Sequence, residues 1–190
     1  MGYWNDSRNV HSYIEMAEGY DGRALIARLR EHVPPGASVL ELGMGPGTDL
    51  DMLAETYTVT GSDISKVFLD RYREAHPGAD LLHLDAVTID TDRTFDCIYS
   101  NKVLMHLSRA ECALSLSRQA DLVPEGGWIM HSFWEGGGSE VQRGLLFTYY
   151  DEDSVQEVVD DRFEVVEIGR YEEISPDDSL YVLLRRRASS

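Results

Sequence analysis

Glycines at positions 43, 45 and 47 follow directly on the apolar run Val39-Leu40-Glu41-Leu42 and lead into a helical pattern that opens at Thr48. Strand, tight turn and helix in that order make a βα unit. Glycine lets the backbone take positive φ and lets a bound group approach closely. A helix start adds free N–H groups and a partial positive charge. Together they form a cradle for the polar part of a nucleotide-like group. The spacing is G-x-G-x-G, with Thr48 where a dinucleotide fingerprint has Gly or Ala.

The rest of the chain repeats this unit. Strand-like runs at 38–43, 57–63, 79–85, 95–101 and 127–133 alternate with helical patterns at 48–55, 65–75 and 108–122. Such alternation implies a parallel sheet with helices on both faces. Ser65 reads as an N-cap, and Ser108 with Glu111 has the spacing of a capping box. A helix at 151–160 is followed by strand-like runs at 163–173 and 179–186, joined by Ser175-Pro176-Asp177-Asp178. So short a connection forces the two runs antiparallel. The expected fold is α/β and Rossmann-like: a seven-stranded, mostly parallel sheet with one antiparallel strand from a C-terminal hairpin. Before residue 36 lie helical candidates at 12–18 and 21–32. Asp21 is the expected N-cap of the second, with Leu25, Ile26, Leu29 and Val33 on one face. The reading is one domain over 1–190, with a helical segment at 1–35 that either covers the core or acts as a lid, and a core at 36–190.

Composition removes several function classes. The formal net charge of −17 opposes binding to nucleic acid or to an anionic membrane surface. No apolar run approaches the roughly 18 residues of a membrane span, and the opening residues are not signal-like. Cys97 and Cys112 form no metal-spaced pair or disulfide framework, so a reduced, cytoplasmic protein without a metal site is expected.

Ligands of an open α/β sheet bind beyond the carboxyl ends of the strands. Strand one ends at Glu41 and the glycine turn, strand two at Asp63, strand three at Asp85 and strand four at Asn101. A carboxylate at 63 can accept hydrogen bonds from both hydroxyls of a ribose; its alternative is a local turn residue. Glu41 gives the turn the form E-x-G-x-G-x-G, and the fourth strand runs on as Ser100-Asn101-Lys102-Val103-Leu104-Met105-His106-Leu107. These motifs and the terminal hairpin resemble class I S-adenosylmethionine (SAM) dependent methyltransferases of the small-molecule type. The resemblance covers roughly 21–186 and is most specific over 39–101. It implies SAM as cofactor, with S-adenosylhomocysteine as product. By the resemblance Glu41, Gly43, Met44, Gly45 and Gly47 would hold its polar part. Asp63 would hold the ribose with Ile64 beside it. Asp85 would bind the adenine amino group, the Ala86 N–H the ring, and Asn101 would sit near the methionyl part. For Asp85 the alternative is a solvated loop acid.

The acceptor is expected to be a small molecule. The N/D-P-P-Y/F and Pro-Cys motifs of nucleic-acid methyltransferases are absent. Tyr3, Trp4, Tyr13 and Tyr20 cluster near the start, while Trp134, Phe147, Tyr149 and Tyr150 follow strand five. Of these Trp4, Tyr20, Trp134 and Tyr149 are candidate acceptor contacts. Residues 135–140, with three successive glycines, are expected to form a mobile loop. His131, late in strand five, and His106 are the candidates for proton transfer. His106 is otherwise a structural helix opener, and a one-residue slip would turn His131 to the other face. Two other functions stand beside methyl transfer: a non-catalytic SAM-binding subunit or regulator, and an NAD(P)-linked oxidoreductase. Thr48 and the terminal hairpin oppose the latter.

Overall fold

The computed structural model describes residues 3–188. Its centre is β1 (Ser38–Leu42), whose side chains enter two different cores. Successive strand residues point to opposite faces. Val39 therefore packs beneath α2 (Arg23–Leu29) and α3 (Thr48–Ala54), with Leu25, Ile26 and Leu53. Leu40 and Leu42 pack on the other face, against Cys112 and Leu116 of α5 (Arg109–Leu122). Burial on both faces is what a central parallel strand requires. Each fully buried leucine contributes about 1.5–3 kcal/mol.

The other strands of the main sheet are β2 (Thr58–Asp63), β3 (Leu81–His83), β4 (Cys97–Ser100), β5 (Trp128–Trp134), β8 (Phe163–Tyr171) and β9 (Ser179–Arg186). The sheet order is β3-β2-β1-β4-β5-β9-β8, and β9 runs antiparallel to both neighbours. The architecture is the expected seven-stranded one. Helix α4 (Lys66–Ala75) is capped by Ser65, and α5 opens on the reciprocal capping box of Ser108 and Glu111. Helix α6 (Glu152–Val158) is capped by Asp151. No helix among the described residues is long and apolar enough to cross a membrane.

Three expectations are corrected. Helix α1 spans Ser7–Met16 instead of 12–18, because the Asp6 carboxylate caps it at the Arg8 amide. The N-cap of α2 is Gly22; Asp21 instead accepts the Arg23 amide, at 3.0 Å. The segment expected to be a mobile loop leads into a hairpin, β6 (Ser139–Gln142) paired with β7 (Leu145–Thr148), outside the main sheet. Backbone bonds Gly136 to Tyr150 and Tyr149 to Gly138 tie its base down.

Candidate active site

A cavity of about 410 Å³ opens beyond the carboxyl ends of β1 to β4. Gly43 and Gly45, at φ +67° and +51°, form its floor. A Cβ on Gly43 would lie 2.6 Å from the Val103 side chain, so both conformation and space call for glycine. The Gly45 amide donates to Asp63 at 2.9 Å, and the Ser65 amide to its other oxygen at 2.7 Å. Those two bonds leave the carboxylate lone pairs to spare. Burial raises the Asp63 pKa, and the two amides oppose the rise. Ile64, Asp85 and Ala86 continue the wall. Asp85 accepts the Val87 amide at 2.7 Å, which shapes the loop after β3.

The opposite wall comes from outside the sheet. Trp4 is held through its carbonyl, which accepts from the Ser65 hydroxyl at 2.5 Å. Its ring meets Tyr13 and His106 edge-on, at 5.2 and 5.9 Å between centroids. Burial, with Asp63 and Asp49 nearby, pushes the Tyr13 hydroxyl up to about 12. His106 lies in a 3-10 turn, Leu104–His106, and its Nδ1 is 2.8 Å from the Leu146 carbonyl of β7. A carbonyl only accepts, so Nδ1 carries the proton and Nε2 is the basic atom. Burial lowers the pKa of this imidazole.

Several expected contacts stand behind the wall or away from it. Met44 packs below the turn with Leu50 and Tyr72, and Gly47 caps α3 against the Tyr72 ring. Glu41 is 3 % exposed beneath the turn; Oε2 has no partner among the described residues. Burial, then Asp49 and Asp63, push its pKa well up. Asn101 spends its amide on Asp49 and on the Ser132 hydroxyl. Tyr20 borders a separate open cleft beside Pro46 and Thr48. Trp134 stacks on the Lys102 ammonium at 3.5 Å, and Tyr149 donates to Glu140. Burial lowers Lys102 to about 8.

His131 is the clearest correction. It shares the sheet face of Ile129 and Phe133, which α5 covers, and is wholly buried. Its ring nitrogens meet Ser100 at 2.7 Å and Gln119 at 2.8 Å. It does not reach the cavity. Conversely Phe68, Val103, Leu145 and Leu146 line the cavity and were not singled out from the sequence. The hairpin had a hidden signal. Arg143 and Gly144, both at positive φ (+50° and +83°), form the two-residue loop between paired Gln142 and Leu145. That is the geometry usually written Asn-Gly.

Sheet order, glycine turn and strand-end acids define a class I SAM-dependent methyltransferase fold. A family model described as a methyltransferase domain matches residues 39–127. The chain is 29 % identical over 142 residues to a dTDP-3-amino-3,6-dideoxy-alpha-D-glucopyranose N,N-dimethyltransferase of Streptomyces fradiae, covering 70 % of this chain and 55 % of the relative. An O-methyltransferase of Pyrenophora dematioidea is 26 % identical over 124 residues, or 60 % of this chain and 46 % of the relative. The chain thus spans about half the length of these curated relatives. Among solved structures, 1,6-didemethyltoxoflavin-N1-methyltransferase of Burkholderia thailandensis superposes with a TM-score of 0.78 at 18 % identity, over 96 % of this chain and 85 % of that one. It was solved with 1,6-didemethyltoxoflavin and S-adenosylhomocysteine bound. A SAM-dependent methyltransferase of Clostridium acetobutylicum gives 0.76 at 11 % identity, over 96 % and 100 %. At these identities the likeness is one of fold.

Proposed function

We propose that this chain transfers a methyl group from SAM to a small-molecule acceptor. The observation that carries the reading is one cavity that gathers the Gly43–Gly45 turn, Asp63, Asp85 and His106. The residues fit the cofactor. Asp63 keeps free lone pairs for ribose hydroxyls, and Asp85 and the half-exposed Ile64 suit an adenine. SAM, when bound, supplies a methyl group made electrophilic by its sulfonium.

The chain's own task is to place the acceptor in line and keep water out, which is worth up to about 7–11 kcal/mol in favourable cases. Tyr3, Trp4, Tyr13 and the β6–β7 hairpin form the water-excluding side. The segment from Tyr3 to Tyr13 acts as a lid over the cavity of a single domain, in which α2 packs as part of the core. Where the acceptor group is protonated at neutral pH, His106 Nε2 takes that proton. The imidazole is kept neutral by burial and aimed by Leu146. The relatives' names support a small acceptor: a nucleotide-linked amino sugar in one, a toxoflavin precursor in another. The charge of −17 disfavours nucleic acid as substrate and suits a cytoplasmic enzyme.

Calorimetry tests the reading directly. S-adenosylhomocysteine should bind and NADH should not. Binding of NADH alone would overturn it.

A further inference from the structure

A polar chain crosses the core on the α5 side of the sheet. Ser100, His131, Gln119 and Ser115 are all wholly buried. His131 Nδ1 lies 2.7 Å from the Ser100 hydroxyl, and His131 Nε2 lies 2.8 Å from Gln119 Oε1. Gln119 Nε2 donates to the Ser115 hydroxyl at 3.1 Å. The Ser115 hydroxyl donates to the Ala86 carbonyl at 2.6 Å, and Ala86 is part of the cavity wall.

The polarity of this chain is determined from one end. The Ala86 carbonyl can only accept, so Ser115 spends its hydrogen there and must accept from the Gln119 amide. Gln119 then presents oxygen to His131, which must donate from Nε2. His131 Nδ1 is left as the acceptor for Ser100. Burial pushes His131 down to about 3, so the neutral ring with its proton on Nε2 persists at ordinary pH.

An apolar trio of similar shape would fill this space at no cost in stability, and often at a gain. What the polar chain adds is a hold on the loop after β3. The same stretch of α5 adds Arg118, which donates to the carbonyls of Ile89 (3.3 Å) and Thr91 (2.7 Å). Ile89 is buried at φ +40°, a strained conformation for a β-branched residue. Such strain persists only where the surroundings over-determine it.

We propose that Ser115, Gln119 and His131 form a positioning relay that fixes the Ala86 edge of the cavity and so sets selectivity for the purine of the cofactor. The proposal rests on the SAM reading. The relay touches no reacting atom. It holds the loop so that Asp85 and the Ala86 backbone meet a 6-amino purine and reject a 6-oxo one.

The test compares S-adenosylhomocysteine with S-inosylhomocysteine by calorimetry. Wild type should favour the adenosyl compound by about tenfold or more, since a site built to accept an N–H leaves an unpaired group against a carbonyl. Ser115→Ala should weaken S-adenosylhomocysteine about three- to tenfold and narrow the preference at least about threefold. Ser117→Ala, on α5 but bonded to Arg162, should leave the preference unchanged. An unaltered preference in Ser115→Ala overturns the relay. Nitrogen-15 spectra of the wild type give a second test without any variant: the His131 proton should be on Nε2, and a proton on Nδ1 overturns the relay. Wild type that binds neither compound would instead overturn the SAM reading.

Discussion

The Asp49 carboxylate accepts the Gly22 amide at 2.7 Å, joining the first turn of α3 to the start of α2. Its second oxygen takes the Tyr99 hydroxyl, also at 2.7 Å. Gly22 has φ −82°, so any residue could adopt its backbone conformation. Space is what excludes a side chain: a Cβ there would collide with Asp49 and Tyr99. Gly22→Ala should therefore cost about 1–3 kcal/mol by overpacking. For a chain of this size that lowers Tm by about 2–4 °C per kcal/mol. A melting curve that matches wild type would show that the N-terminal segment is not held in this way.

Asp63 organises the cavity floor through the amides of Gly45 and Ser65. Charge-assisted hydrogen bonds are worth about 1.5–3 kcal/mol. Asp63→Ala should weaken S-adenosylhomocysteine by about ten- to a hundredfold. Gly45→Arg, which fills the cavity at a positive φ, should abolish binding with the fold retained by circular dichroism. Retained affinity in both variants would place the cofactor elsewhere.

His106 is useful as a base only when neutral. Its lowered pKa means the rate should hold through neutral pH and fall on acidification, at a pH below the usual histidine range. His106→Gln should lower kcat about a hundredfold and remove that acidic limb. If the pH–rate profile keeps its limb, His106 serves only to pack against Trp4 and Phe147.

His131 makes stability depend on pH. The folded pKa is about 3, against about 6.5 unfolded. Between these values the unfolded chain binds a proton that the folded chain does not, so stability falls as pH drops from 6.5 towards 3. The loss reaches about 2 kcal/mol by pH 5. Glu41 and Asp63, with raised pKa values, act in the opposite sense: their destabilisation is relieved as pH falls through their folded values. The difference between wild type and His131→Phe isolates the histidine. Urea midpoints at pH 7 and pH 5 should differ more in wild type than in the variant; equal differences would count against a buried neutral ring.

What was legible in the sequence depended on rules that act locally. The glycine turn, the Ser65 cap, the Ser108–Glu111 box and the terminal hairpin could each be read from a few adjacent residues. Gly43, Gly45, Asp63 and Asp85 meet around one cavity because each ends, or directly follows, a strand of the same sheet. What escaped depended on direction and on partners distant in the chain. The face to which His131 turns is a matter of strand parity, and one residue decides it. Asn101 and Trp134 are at the right level of the sheet but are bonded to Asp49 and Lys102. Arg143-Gly144 turns a hairpin without the usual asparagine, so β6 and β7 left no obvious mark.

That hairpin carries a consequence for how such a chain can change. It shares no strand with the main sheet, and it meets the rest through few bonds, among them His106 to Leu146 and Thr148 to Leu107. Its tip, Gly144 to Leu146, lines the cavity, while Phe147 and Thr148 anchor its base to the main core. Lengthening or rewriting that tip would reshape one wall of the cavity while the glycine turn and the strand-end acids stay as they are.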